Sequence, residues 1–175
     1  AGLPGLAIVG MPEAVVRESK DRVRSALLNS GFEFPAQRIT INLAPADLPK
    51  EGGRYDLPIA LGLLAASGQL PLQALENHIV MGELALSGEL TAVSSVLSAS
   101  LAAAGSGKTL VVPQANAREA RLSQTTPVLA APDLYRLVRH LRGQEPLLEE
   151  QLAVHDETER CAPYPDLSQV CGQPL

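Results

Sequence analysis

The chain has 175 residues, 46% of them hydrophobic and 19% charged, which leaves room for one domain of ordinary size and an appendage but not for two full domains. That composition excludes general disorder, and the longest apolar stretch, residues 57–66, is broken by Pro58 and Gly62 and falls short of the roughly 20 residues a membrane-spanning helix needs. The net charge of −5 divides unevenly: residues 1–144 carry thirteen Lys and Arg against twelve Asp and Glu, whereas residues 145–175 carry one Arg against seven acids, so the near-neutral part lacks the basic footprint of a general nucleic-acid binder and any DNA contact there is local and weak.

Residues 6–10, LAIVG, read as a short buried strand, and Pro12 then opens a helix over about residues 13–30 that Gly31 closes. On that helix Val16, Val23 and Leu27 share one face, while Arg17, Glu18, Asp21 and Arg24 point elsewhere. RITINL at 38–43 alternates apolar and polar residues as a half-buried strand does. APADLPKEGGRY at 44–55 gathers Pro, Gly and charge into a loop, after which Asp56 is expected to cap a helix over 57–67. IVMGEL at 79–84 and the following ALSGEL, with Ser87 and Gly88 between them, predict a strand and a tight hairpin. The remaining pattern predicts helices over 93–104 and 115–122, strands over 109–112 and 127–130, and a last helix from Asp133 through about Leu141. From residue 143 onward the chain turns polar, acidic and Pro-containing, the composition of a linker.

Most chemical motifs fail on spacing. GSGKT at 105–109 looks like the end of a phosphate-binding loop, but Ala102 stands where the first Gly is needed, and the order is helix, loop, strand instead of strand, loop, helix. A glycine-rich helix end with Lys108 near the C-terminal dipole accounts for it. His78, His140 and His155 are isolated, and Cys161 and Cys171 are too few and too far apart for a ligand set or a disulfide framework. No metal is implied, and two cysteines with no signal-peptide pattern fit a reducing cytoplasm. The five aromatics, Phe32, Phe34, Tyr55, Tyr135 and Tyr164, are too scattered for a base-stacking platform. Because the chain opens on AGLPG without an initiator Met, part of the function is expected to lie outside it.

The run from Gly2 to Leu70, together with GELALSGEL at 82–90 and DLSQVCGQ at 166–173, closely resembles the N-terminal domain of the YifB/ComM family of magnesium-chelatase-like AAA+ ATPases, proteins linked to competence and DNA processing. The resemblance covers nearly the whole chain. It implies a mixed α/β (α+β) fold of the Lon-protease-like type, the ribosomal protein S5 domain 2 fold. It also implies a division into a Lon-like accessory domain at 1–143, an acidic flexible linker at 144–165 and the start of an AAA+ module at 166–175. That family's usual first strand would precede Gly2, leaving an exposed sheet edge.

The Lon likeness can be tested against its Ser–Lys dyad, in which the lysine takes the serine proton. PKEGGRYDLPIA at 49–60 matches the serine segment with Asp56 where the serine would open the helix, and VSSVLSAS at 93–100 matches the lysine segment with Leu97 in the lysine's place. A capping carboxylate and a core leucine cannot do this chemistry, and Ser94, Ser95 and Ser98 have no lysine at the matching place. The resemblance thus implies a non-catalytic accessory domain with no cofactor of its own, attached to a motor that uses ATP and Mg2+, forms a homo-oligomeric ring and acts in branch migration of incoming DNA. Partners would be its own AAA+ module and, weakly, DNA, with no membrane. Candidate contact residues are Lys50, Glu51, Arg54 and Tyr55 in the loop, with Arg17 and Arg24 on the first helix, although a solvated loop explains them too. Two other readings stand beside it: a degenerate peptidase fold that binds a protein partner, and a chelatase-like ATPase subunit.

Overall fold

The computed structural model describes residues 5–10 and 12–147. Of the expected linker at 144–165, residues 148–165 lie outside the described residues, as does the whole expected segment 166–175. A parallel β–α–β unit comes first: β1 (Gly5–Val9), α1 (Ala14–Asn29) and β2 (Arg38–Asn42), with Leu6 beside Ile39 and Ile8 beside Ile41. These four side chains pack on the main core, whereas Gly5, Ala7, Val9, Arg38, Thr40 and Asn42 on the other face are exposed. One covered face is what strict alternation in RITIN encodes.

A loop and a short 3-10 turn at Gly53–Tyr55 lead into α2 (Asp56–Ala66). This helix buries Leu57, Ile59, Ala60, Leu61, Leu63 and Leu64, which point in all directions around it, as expected of a helix at the centre of a core. The strands β3 (His78–Val80), β6 (Thr109–Pro113) and β7 (Val128–Ala131) form a parallel sheet in the order β3-β6-β7. The connections run through α3 (Val96–Ala103) and α4 (Ala117–Arg121), and α5 (Leu134–Leu141) ends the described fold. Between β3 and α3 lies the small antiparallel hairpin β4 (Glu83–Leu84) and β5 (Leu90–Thr91). Its turn carries Gly88 at φ 93°, packed so closely on Ser30 that a Cβ could not fit.

The parallel sheet is covered on both faces. Val111, with Val80 and Leu129, joins the core built by α2 and α5; Leu110 and Val112, with Val128 and Ala130, join a second core against Val96 of α3 and Ala120 of α4. Leu110, Val111 and Val112 form a continuous apolar run for that reason, since neither face of the strand meets water there.

Mixed α/β architecture agrees with expectation, and four details differ. The 93–104 helix begins only at Val96, because Ser95 takes φ 66° and breaks the helical path before it. IVMGEL is not one strand: Met81 N–H still bonds to Val111, but Gly82 turns to bond with Arg54, so β3 and β4 enter different sheets. The 115–122 helix is a 3-10 turn, Gln114–Asn116, followed by a short α4. The domain also runs past 143, since residues 143–147 fold back on α5 and Leu147 packs against the main core. Asp133 caps α5 as expected, accepting from Arg136 N at 2.7 Å. Gly105 and Gly107, both at positive φ, follow the end of α3, as expected of a glycine-rich helix end.

Candidate functional site

Asp56 stands at the position the Lon likeness assigns to a nucleophile, and its surroundings differ from the expected helix cap. Tyr55 occupies the cap position without a side-chain hydrogen bond. The Asp56 carboxylate instead points across to α1 and β4 and is completely buried. Its Oδ1 accepts from the Ser19 hydroxyl and from Arg22 Nη2 at 3.0 Å; its Oδ2 accepts from Arg22 Nε at 2.7 Å and from Leu84 N at 3.3 Å. A two-pronged guanidinium–carboxylate pair with additional donors is the arrangement that compensates burial of charge. The hydrogen bond to Asp56 holds the Arg22 guanidinium more firmly protonated than usual against the opposing effect of burial, and Glu83 and Glu18 add to it. Arg22 also donates to Val15 O and Ser19 Oγ, both at 3.2 Å. The cluster therefore ties three elements together and leaves no acceptor on Asp56 pointing at an open space.

The ties around it extend to the loop. Gly82 N–H bonds to Arg54 O at 3.1 Å and Leu57 N–H to Gly82 O at 3.0 Å, which lays the 3-10 turn against β4. Gly53 is buried against the Glu83 side chain so closely that a Cβ would fall inside its carboxylate. Lys50 is only 4% exposed. Its ammonium donates to Pro45 O, and its carbonyl accepts from Glu13 N at 3.3 Å, so the loop curls over the entry to α1.

The candidate contact residues thus fall into three situations. Lys50 is turned inward; Arg54 and Tyr55 are half-buried, with Tyr55 packed on the main core; Glu51, Arg17 and Arg24 are exposed. Arg24 stacks over the Phe34 ring at 4.7 Å. The structure brings Lys50 to the start of α1 and Arg54 to β4, and among the described residues no hydrogen bond or ion pair joins Arg17 or Arg24 to the loop. Leu97, expected in the core, is half-buried, and Val96 fills the core place; the Leu97 N–H donates to Glu119 at 3.1 Å.

Ser19 and Arg22 were not singled out by sequence reasoning. The signal was available for Ser19, which sits three residues after Val16 and four before Val23, a polar residue on the buried stripe of α1. Arg22 carried none, since its partner lies 34 residues away. Among the described residues no three His, Cys, Asp or Glu side chains gather as a metal site. No described helix is long and apolar enough to cross a membrane.

A family model described as subunit ChlI of Mg-chelatase matches residues 1–116, a stretch that holds the whole Ser19–Arg22–Asp56 cluster. The chain belongs to this family. Within it the similarity is to YifB and ComM: 49% identity to YifB of Escherichia coli (strain K12) over 98% of the chain, and 52% to the competence protein ComM of Haemophilus influenzae over 83%. YifB of Salmonella typhimurium is 52% identical over 87%. The chain spans about a third of the length of these relatives, 33%, 29% and 30% respectively. This ChlI-family chain therefore corresponds to one part of longer proteins, and the match across 1–116 takes in the loop at 44–55 as well as the positions of Asp56 and Leu97.

Proposed function

We propose that this chain is a Lon-like, non-catalytic accessory domain of a magnesium-chelatase-like AAA+ ATPase, helping the motor assemble or engage DNA during recombination of incoming strands. What carries the reading is the use made of Asp56. A residue at a nucleophile's position is spent on four hydrogen bonds that join α1, α2 and β4, and Leu97 at the lysine's position is apolar, so the pair has no proton acceptor for a serine. The reading is supported by membership in the family of the Mg-chelatase subunit ChlI and by similarity to ComM, a protein named for competence; the ATP and Mg2+ site of such a motor would belong to the remainder of a longer protein. Each copy in a ring of motors would add a weak contact through Arg17, Arg24 and Arg54, and repetition would raise the effective affinity.

The test is a charge reversal in the full-length protein, Arg17→Glu with Arg24→Glu and Arg54→Glu. Binding to branched DNA falls severalfold and its salt dependence flattens, because each lost phosphate contact lowers the slope, while DNA-independent ATP hydrolysis stays unchanged. Wild-type DNA affinity in that variant refutes the DNA contact. A second reading, recruitment of a protein partner, is favoured by one observation: the Lys50 ammonium is committed to Pro45 O and removes a positive charge from the loop surface.

A further inference from the structure

The described residues end at Leu147, and one side-chain atom meets the backbone there. After α5 the backbone doubles back: Gly143 N–H bonds to His140 O at 2.8 Å, and Gln144 N–H to Arg139 O at 2.9 Å. Glu145 pairs with Arg139 at 3.1 Å. Leu147 N–H then donates to His140 Nδ1 at 2.9 Å, and the Leu147 side chain packs on the main core. An imidazole nitrogen accepts only while it carries no proton, so this bond requires neutral His140 with its hydrogen on Nε2. We propose that His140 is a proton-operated latch: neutral, it holds residues 143–147 on the end of α5, and protonation at Nδ1 sets two donors face to face and frees Leu147 from the domain.

The surroundings supply the bias. On β3, His78 bears on His140 electrostatically, and its own buried Nδ1 has no hydrogen-bond partner among the described residues. On β7, which packs against α5, the sequence VLAA offers no titratable group. On α5 and the following turn, Arg139 is occupied by Glu145, Arg136 pairs with Asp133 at 3.5 Å, and Arg142 donates to Gln69 O. Among the described residues no carboxylate is hydrogen-bonded to the imidazole to favour its charged form. Burial first, then the electrostatic effect of His78, holds His140 below its ordinary value of 6.5. The sign follows directly: the fold favours the neutral ring, so the latch contributes fully above about 6.5 and is lost as pH falls from there through the lower folded value. Leu147 is thereby held on the end of α5 at neutral pH and released in acid.

The experiment uses the whole 175-residue chain, labelled with 15N, between about pH 8 and about pH 5. The His140 ring nitrogens and the Leu147 amide protection factor are followed together. Leu147 protection is expected to fall severalfold in step with His140 titration, reaching the level of the His140→Ala variant, while the Arg142 amide, bonded to Val138 O, stays constant. His140→Asn supplies a carbonyl oxygen that does not titrate and makes Leu147 protection independent of pH. His78→Gln moves ring titration and Leu147 release upward together. Leu147 protection that stays constant while the ring titrates, that still varies with pH in His140→Asn, or that separates from the ring curve in His78→Gln overturns the proposal; the unsubstituted chain alone decides the first of these, so the outcome does not depend on any variant folding.

Discussion

Asp56→Ala removes the acceptor that unites α1, α2 and β4, and the structure sets the scale of the loss. The buried Ser19 hydroxyl and the Leu84 N–H lose a partner, as do two N–H groups of Arg22. Breaking a buried ion pair by deleting one partner costs about 3–5 kcal/mol, most of it from the charge left behind. Arg22 retains 21% side-chain exposure, so water can reach part of the guanidinium, and the lower end, about 3 kcal/mol, is expected. For a domain of this size that corresponds to a fall of roughly 6–12 °C in Tm. Urea unfolding of wild type, Asp56→Ala, Arg22→Met and Asp56→Leu with Arg22→Met would measure it, the double variant recovering a large part of the loss because both charges go together. A change below about 0.5 kcal/mol in Asp56→Ala, the size of an ordinary surface substitution, would refute the view that this carboxylate ties the elements.

Gly53→Ala forces the Glu83 side chain aside and is expected to cost about 1–2 kcal/mol, with most of it restored in the Glu83→Ala background, as thermal unfolding would register. Lys50→Glu faces Pro45 O with an acceptor in place of a donor and should lower stability by about 2–4 kcal/mol, whereas Arg54→Glu, half-buried and bonded through its backbone, should cost under about 1 kcal/mol; equal urea midpoints for the two would contradict the inward Lys50. The isolated chain should hydrolyse neither peptides nor ATP: peptide cleavage abolished by Ser94→Ala or Ser95→Ala, or saturable ATP binding lost in Lys108→Ala, would reverse that expectation.

Local signals were legible and long-range ones were not. The alternation in RITIN and the apolar stripe of α1 located β2 and the buried face of the first helix to within a residue or two, because both periods are set by local geometry. Capping by Asp133 could be read for the same reason. Asp56 could not: preceding a helix it has the composition of a cap, and only the fold brings Ser19 and Arg22 to it. Likewise the break between β3 and β4 arises from Gly82 reaching Arg54, and the late start of α3 from the left-handed turn at Ser95, a residue with no intrinsic preference for that conformation. Of the candidate site, the position of Asp56 was visible through family resemblance, while its role depended on partners 34 and 37 residues distant.

The covering of the β3-β6-β7 sheet on both sides makes β6 a party wall. Adjacent residues along it look into separate rooms, Val111 toward α2 and α5, Val112 toward α3 and α4. Methyl groups at these two positions are therefore independent gauges only one peptide apart: a ligand or partner that presses on the Asp56 side would disturb the Val111 resonance first, and one that presses on the α3–α4 side would disturb Val112, so the direction of any such pressure can be told from a single strand.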